Sequence, residues 1–332
     1  MHELPASRIR SVSEDESPNP FTVRANGTFV LKVHAFDLVG PATRQWDREA
    51  MRNRIIIRVL FISQCSKNME SEDGLIWPLS DIIANHTTEP VTAALVSGLL
   101  GACIILNVPA IPPEILMNIF LRFRLRVCAD GGANVLFESM PLLEGGMEGS
   151  IFLPDVIIGD FDSIRPDVKS AYASAGVKIV QVLDQNNTDL DKALGYIESE
   201  TYDSSDRFVV IAGSIGSYEG RIDQFFAVIN SMYRYVHSKF RLISLGNESV
   251  MIVLNRGMHI LNLPPAAFHQ HCGLVPVFGA VRKLSTTGLR WNLDPSMGPS
   301  VFGGLVSTNN IIDNLTVTVN TSDPILFTFA YR

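Results

Sequence analysis

Between about residue 99 and residue 240, short apolar runs alternate with helical patterns. The runs "ACIILN", "RVCAD", "PDVIIGD", "VKIVQVL" and "RFVVIAG" are each followed by a stretch with helical spacing, such as "PPEILMNIFLRF". Thr188, with Asp191 three residues later, is an acidic variant of a capping box and predicts a helix start. This alternation is typical of βαβ units, and it predicts a mostly parallel sheet.

After about residue 240 the helical pattern stops. Short runs such as "FRLISLG", "SVMIVLN", "LRWNL" and "LTVTVN" are separated by Gly, Pro and Asn, which is typical of an all-β domain. The predicted fold is therefore a Rossmann-like, mostly parallel α/β domain over residues 91–240, followed by a β-sandwich over residues 241–332. Residues 1–90 lack a sustained period and are predicted to be a partly disordered extension, whose function the sequence does not indicate.

Composition excludes some classes of protein. The 332-residue chain carries a formal net charge of −7 and has no basic stripe, so we expect no nucleic-acid partner. The longest apolar run, residues 91–108, contains Thr, Ser and two glycines and is short for a membrane span, so we expect no membrane association. No pair of cysteines has CxxC spacing, which favours reduced thiols and a cytoplasmic location. The four cysteines are Cys65, Cys103, Cys128 and Cys272.

Aspartates follow four of the predicted strands. Asp130 ends "RVCAD", Asp160 and Asp162 follow "PDVII", Asp189 follows "VKIVQVL" after a short loop, and Asp223 lies beyond "RFVVIAG". In an open α/β sheet the carboxyl ends of the strands form the ligand-binding edge. Five anions there would repel one another, and a divalent cation with phosphate oxygens would resolve the conflict. The pattern predicts a Mg²⁺ and phosphate site, although any single aspartate could equally be a turn or helix-cap residue.

Three weaker signals accompany the aspartates. The loop "GSIGSYEGR", residues 213–221, could bring backbone N–H groups to a phosphate, or it could be an ordinary tight turn. Lys192 lies one helical turn after Asp189, which fits either a shared site or a plain i,i+3 salt bridge. Trp291 lies among Thr, Ser and Asn residues, and either a stacked heteroaromatic ligand or a core position explains it.

Seven motifs in this order resemble the thiamine pyrophosphokinase family. They are "ADGGAN", "GDFDSIRPDV", "TDLDKAL", "GRIDQ", "CGLVPVFG", "TTGLRWNL" and "VSTNN". The likeness extends from about residue 99 to the C-terminus, and residues 1–90 have no recognisable counterpart. The resemblance implies a Mg²⁺-dependent homodimer that moves the pyrophosphoryl group of ATP to the hydroxyl of thiamine, giving thiamine diphosphate and AMP.

The resemblance also implies roles for particular residues. The aspartates Asp160, Asp162, Asp189 and Asp223 would serve the metal and the phosphates, with Lys192 as a further catalytic residue. Substrate contacts would come from Gln185, Thr188, Arg221, Trp291, Ser307 and Asn309. Nucleotide contacts would come from Asp130, Gly213, Ser214, Gly216 and Gly220. Trp291 would pack on thiamine across the dimer interface.

Two departures from the family pattern leave alternatives open. Asn186 stands where family members often carry Asp, and the glycine loop is about three residues longer than usual. These changes motivate a degenerate dimer that binds thiamine or nucleotide without turnover. A phosphatase of the haloacid-dehalogenase type would use Asp160 as nucleophile and Asp162 as acid/base, but its later acidic pair is not found. A nucleotide-sugar transferase with a DxD metal site has no other support.

Overall fold

A computed structural model of the protein describes residues 21–25, 29–33, 70–71, 74–83, 99–108, 111–139, 153–200, 207–213 and 221–331. The chain divides into two units, residues 1–51 and residues 52–332. In the first unit, strands β1 (Phe21–Ala25) and β2 (Phe29–Val33) form an antiparallel hairpin. The predicted site residues Ser214, Gly216 and Gly220, and Cys65, lie outside the described residues.

The second unit contains the remaining helices and strands, with two 3₁₀ turns. In chain order they are β3 (Glu70–Ser71), β4 (Gly74–Trp77), α1 (Leu79–Ile83), β5 (Leu99–Ile105), α2 (Pro113–Arg122), β6 (Phe123–Ala129), α3 (Gly132–Ser139), β7 (Val156–Gly159), α4 (Pro166–Ser174), β8 (Lys178–Gln181), α5 (Asp189–Ser199), β9 (Arg207–Ala212), α6 (Ile222–Arg234), β10 (Phe240–Leu245), β11 (Ser249–Leu254), β12 (Gly257–Asn262), the turn Pro265–Ala267, β13 (His271–Val275), β14 (Leu284–Thr287), the turn Pro295–Met297, β15 (Ser307–Ile311), β16 (Thr316–Thr321) and β17 (Ile325–Ala330).

Ten strands form one continuous sheet in the order β15-β13-β17-β11-β10-β9-β5-β6-β7-β8. The six strands from β10 to β8 are parallel, and β11, β17, β13 and β15 pair antiparallel with their neighbours. The strand order reverses at β5, because β6, β7 and β8 continue on one side while β9 and β10 lie on the other. The carboxyl ends of parallel strands next to such a reversal form the usual ligand-binding crevice of an α/β sheet.

Helices cover both faces of the parallel half, as its continuous apolar strands require. On one face Leu194 of α5 and Ile229 of α6 pack with Ile104 and Val209 of the sheet. On the other face the buried side chains of α2, α3 and α4 pack with alternate residues of the same strands. The strand β7 is buried along its whole length, so the chain first returns to the surface at Asp160.

The antiparallel half of this sheet packs against a second sheet of five strands in the order β14-β16-β12-β4-β3. Leu261 and Val319 of the second sheet share a hydrophobic core with Leu274 and Phe327 of the first. The C-terminal region is therefore a sandwich of two sheets, and one of these sheets continues into the α/β half. Together these features form an α/β region joined to a β region, as the sequence predicts.

Several local expectations need correction. Part of the predicted N-terminal extension belongs to the fold, because β4 pairs in parallel with β12 and Leu79, Ile82 and Ile83 of α1 are buried. The run "LRWNL" lies in a turn that has only an isolated bridge at Leu289, because Asn292 bonds back to the backbone of Leu289. The strand β10 begins the predicted β domain in the sequence but pairs in parallel with β9.

Two further findings concern the last strand and the described helices. The last strand, β17, lies in the middle of the antiparallel half, and its run "ILFTFA" was not among the strands that the sequence pattern indicated. Among the helices that the structure describes, none is long and apolar enough to cross a membrane.

Candidate active site

Three of the five aspartates meet at the carboxyl edge of the parallel strands. Asp130, Asp160 and Asp189 each offer a carboxylate oxygen, and these oxygens lie within 4.8 Å of one another. They follow β6 and β7 and open α5, so three separate loops converge here. Within the part of the chain that the structure describes, this is the one group of three or more potential metal-ligating residues at such a spacing.

Close packing of the backbone places Asp130 in this group. Its φ angle of 41° turns the chain sharply out of β6 and into α3. A Cβ atom on Gly132 would lie 2.0 Å from the carbonyl oxygen of Ile105, and one on Gly159 would lie 2.7 Å from the Cβ of Asp130. Only glycine fits at these two approaches, which explains the glycines in "ADGGAN" and "GDFDS".

The Asp130 carboxylate is buried and holds the next loop in place. Its Oδ1 accepts the N–H of Ile164 at 2.9 Å, and its Oδ2 accepts the N–H of Ser163 at 3.2 Å. Burial raises the pKa of Asp130 to about 6, against the lowering effect of those two hydrogen bonds, and the charge of Asp189 and the Asp162 carboxyl raise it further. The site thus carries negative charge that its own residues do not fully neutralise.

Lys192 bridges the other two carboxylates of the group. Its Nζ donates to Asp160 Oδ2 and to Asp189 Oδ1, each at 2.9 Å, and its side chain is only 3% exposed. Burial alone would lower the pKa of Lys192, but the two carboxylates outweigh it and raise the pKa. The hydrogen bond from Lys192 lowers the pKa of Asp160, which also accepts the Gln185 amide at 3.2 Å. One ammonium therefore contacts two of the three carboxylates.

Asp162 lies beside the group on a tight turn. Phe161 has a φ angle of 70°, and its ring packs against the core and under the ammonium of Lys169, 3.9 Å from the ring centre. The N–H of Asp162 donates to Asp160 Oδ1 at 3.3 Å, and its carboxylate accepts the Ser163 hydroxyl at 2.7 Å. The exposed Asp162 carboxylate is thus adjacent to the group without being one of its three members.

A capping box fixes the start of α5, which carries both Asp189 and Lys192. Thr188 caps the helix by accepting the N–H of Asp191, and Asp191 in turn accepts the backbone N–H and the hydroxyl of Thr188. The buried Asp191 carboxylate also accepts the Ser231 hydroxyl at 2.8 Å and pairs with Arg234 at 3.2 Å. This confirms the predicted capping box and shows that α6 supports the helix that carries the bridging lysine.

Asp223 lies apart from the three-carboxylate group in this structure. It opens α6, is 62% exposed, and pairs with Arg221, whose Nε donates at 3.1 Å. That contact lowers the pKa of Asp223. Gly213 directly follows β9 with a φ angle of 93°, and its N–H donates to the carbonyl of Leu245 in β10 at 3.2 Å. The predicted roles of Asp223, Arg221 and Gly213 stay predictions.

The predicted thiamine-side residues form a second cluster in the β region. The Trp291 side chain is 58% exposed, so it is not a core tryptophan. Its backbone is held by buried Asn310, which accepts the Trp291 N–H at 3.2 Å and donates to its carbonyl at 2.8 Å. Asn310 also donates to the Ser307 hydroxyl at 3.2 Å, and the adjacent Asn309 is exposed with a φ angle of 61°.

Comparisons with known proteins agree in both halves of the chain. Residues 116–244 match the model of the thiamin pyrophosphokinase catalytic domain, and residues 258–326 match that of its vitamin B1 binding domain. Thiamine pyrophosphokinase 1 of Oryza sativa subsp. japonica is 38% identical over 220 residues, which are 64% of this chain and 80% of the relative. The chain belongs to the thiamine pyrophosphokinase family.

Other members of the thiamine pyrophosphokinase family are also similar. Thiamine pyrophosphokinase 1 of Arabidopsis thaliana is 34% identical over 217 residues, covering 63% of this chain and 79% of the relative. The solved thiamin pyrophosphokinase of Candida albicans matches with a TM-score of 0.59 at 25% identity, over 72% of this chain and 90% of that one. The solved yeast thiamin pyrophosphokinase shares the fold with a TM-score of 0.63 at 21% identity, over 83% of this chain and 95% of that one.

Sequence reasoning missed two buried residues that support the predicted site residues. Asn310 and Ser231 contact other protein groups, and each is buried. Asn310 adjoins the predicted Asn309, but no spacing rule separates the buried amide from the exposed one. Ser231 lies 40 positions from its partner Asp191, and the sequence alone carries no signal for such a pair.

Proposed function

We propose that this protein is a thiamine diphosphokinase, which transfers the pyrophosphoryl group of ATP to the hydroxyl of thiamine. Family membership supports the activity, and the observation that carries it to this chain is the three-carboxylate group with its bridging Lys192. Three carboxylates and one ammonium leave excess negative charge at the ligand-binding edge of the sheet. Such a site attracts a cation, and with it a polyphosphate.

The residues present fit a magnesium ion. Asp130, Asp160 and Asp189 supply hard oxygen donors at close spacing, as Mg²⁺ prefers, and Asp162 lies beside them. We propose that these four aspartates and Asp223 hold the ion and the phosphates. When bound, Mg²⁺ would neutralise charge that develops on the phosphate oxygens.

The protein side of the reaction is mostly positioning and charge neutralisation. The thiamine hydroxyl oxygen attacks the β-phosphorus of ATP, the bond from that phosphorus to the α,β-bridging oxygen breaks, and AMP leaves. An aspartate of this edge accepts the hydroxyl proton. Lys192 and Arg221 stabilise the negative charge on the moving group, while Gln185 and Thr188 position the substrates. The Lys192 ammonium is well placed for this role because it is buried and already touches two of the aspartates.

We place the nucleotide at the strand-order reversal between β5 and β9. The parallel half would then bind the nucleotide at the same place in the sheet as a Rossmann-like domain does. Asp130, Gly213 and the glycines after it would contact the phosphates. The N–H of Gly213 is anchored to β10, so the start of the glycine loop is fixed at that edge. The longer loop and Asn186 leave the metal-binding aspartates of this proposal in place.

Thiamine recognition belongs to the β region in this proposal. Trp291 stacks on the heteroaromatic rings, with Ser307 and Asn309 beside it, across the interface of a homodimer. The exposure of the Trp291 indole supports this, because a second chain and a ligand can cover it. Cys103, Cys128 and Cys272 are all buried, as expected of core cysteines in a reducing compartment, which supports the proposed cytoplasmic location.

Turnover of thiamine with ATP and Mg²⁺ tests the proposal. We expect AMP and thiamine diphosphate to appear in equal amounts, and no turnover after chelation of the metal. Release of free phosphate instead would favour a phosphatase. Binding of thiamine and ATP without any AMP at every Mg²⁺ concentration would show a degenerate binding protein.

A further inference from the structure

A cavity lies at the opposite edge of the sheet from the three carboxylates. Its volume is about 300 Å³, which is within the range of small-molecule pockets. It is lined by the C-terminal turn of α6, the start of β10, the end of β11, and strands β4 and β12. The parallel strand β10 starts at this cavity and ends at Leu245, whose carbonyl accepts the N–H of Gly213, so the cavity and the start of the glycine loop lie at opposite ends of one strand.

The charge of the lining is one-sided in a protein whose net charge is −7. Lys239, Arg241 and Arg256 all line the cavity, and none of the described lining residues is acidic. Lys239 and Arg256 are exposed, and no described residue forms an ion pair with either of them. Lys239 and Arg256, two exposed cations with no acid among the described lining residues, create a field that favours an anion.

The floor of the cavity is rigid because its polar groups are satisfied. The Trp77 indole N–H donates to His259 Nδ1 at 3.1 Å, and His259 Nε2 bonds the Asn255 carbonyl at 2.7 Å, so both ring nitrogens of this buried histidine are used. Arg241 donates to the Ile76 carbonyl at 2.6 Å and lies over the Phe208 ring at 4.3 Å. A ligand would therefore meet a preformed surface, which lowers the entropic cost of binding.

The rest of the cavity wall, away from the cations, is lined by apolar and aromatic side chains. Leu75, Val236 and Met258 line the cavity together with Tyr235, whose ring stacks on Phe240 at 5.6 Å between centres. A fully ionic ligand such as inorganic phosphate would leave these walls uncovered. A phosphorylated molecule with a ring would use both parts of the lining.

We propose that this cavity is a second binding site, for a small phosphorylated molecule that carries an aromatic or heteroaromatic ring. Lys239 and Arg256 contact the phosphate, and the apolar walls contact the ring. Strand β10 ends beside Gly213 and helix α6 carries Asp223 in its first turn, so an occupant contacts two elements that reach residues of the proposed nucleotide and metal site.

Calorimetric titration of the full chain with AMP, thiamine diphosphate and pyrophosphate tests the site. These probes also bind a kinase site, so each titration is repeated with Lys239→Glu and with Met258→Trp, which fills the cavity without a change of charge. Lys283→Glu is the matched control, because Lys283 is equally exposed but lies in the β region away from the cavity. Turnover is measured separately for every variant.

We expect two classes of site for AMP or thiamine diphosphate in the wild type and in Lys283→Glu. One class should weaken at least tenfold in Lys239→Glu and in Met258→Trp, while turnover without added ligand stays unchanged. A single class in the wild type, or equal weakening by both charge reversals, would overturn the proposal. Pyrophosphate binding as tight as that of the ring compounds would overturn the role of the apolar walls. Absence of turnover in the wild type would contradict the proposed kinase activity but not the proposed binding site in the cavity.

Discussion

Two regions of the protein are held in different ways. They are the carboxylate edge, where Asp130, Asp160 and Asp189 meet, and the region around Trp291. At the carboxylate edge the functional side chains themselves are fixed, because Lys192 bridges Asp160 and Asp189 and its own side chain is 3% exposed. In the Trp291 region Asn310 fixes only the backbone, and the indole is free of the core. The chain therefore fixes the charged side chains of the proposed metal site by itself, whereas in the Trp291 region it fixes the backbone and leaves the indole exposed.

The largest effect should come from Asp160→Asn. This change removes the carboxylate that joins Lys192 and Gln185 and should lower kcat about 1,000-fold, because electrostatic stabilisation of the reacting phosphates is the main catalytic contribution. Lys192 keeps Asp189 as a partner, so thermal unfolding should stay close to that of the wild type. Asp167→Asn, at an exposed acid on α4, is the control and should retain turnover. Equal activity of both variants would contradict the fixed charge site.

A smaller effect is expected from Trp291→Ala. Loss of ring stacking should raise the KM for thiamine about 10- to 100-fold and leave the KM for ATP unchanged. Trp291→Phe, which keeps an aromatic face, should recover most of the thiamine affinity. Steady-state kinetics with each substrate varied in turn would measure this, and equal losses for thiamine and ATP would contradict the division between the two regions.

Asn310 and Asn309 provide a matched pair in the same segment. Asn310→Ala removes the side chain that bonds the partly buried backbone N–H and carbonyl of Trp291, so it should lower the free energy of unfolding by about 1–3 kcal/mol and also raise the KM for thiamine. Asn309→Gly keeps the left-handed backbone and should change the KM alone. Denaturant unfolding separates the two variants. An Asn310→Ala variant as stable as the wild type would show that the hydrogen bonds from Asn310 to the Trp291 backbone are not needed for stability.

Ser231→Ala should give the smallest effect. The change removes one of several hydrogen bonds to Asp191, so the free energy of unfolding should fall by about 0.5–1.5 kcal/mol. The capping box and Arg234 still hold Asp191, and kcat should stay within about twofold of the wild type. A large loss of turnover with little loss of stability would mean that α6 positions the bridging lysine through this single contact.

Much of the carboxylate edge follows from the sequence, because strand ends and the aspartates after them are local signals. The position of Asp130, Asp160 and Asp189 on one edge requires only that their strands be parallel and adjacent, which the βαβ pattern predicts. The sequence does not reveal that Asp223 pairs with Arg221, or that Asn310 is the buried amide. The sequence also hides the role of residues 74–83, because their contacts are distant along the chain. Strand β4 pairs with β12, and Trp77 donates to His259, which lies 182 positions later.

Binding of Mn²⁺ as a spectroscopic substitute for Mg²⁺ tests the central claim most directly. The wild type should bind Mn²⁺ together with a non-hydrolysable ATP analogue, and Asp160→Asn and Asp189→Asn should each weaken that binding at least tenfold, while Asp167→Asn does not. If all three variants bound the ion as tightly as the wild type does, the three carboxylates would not be the metal and phosphate site.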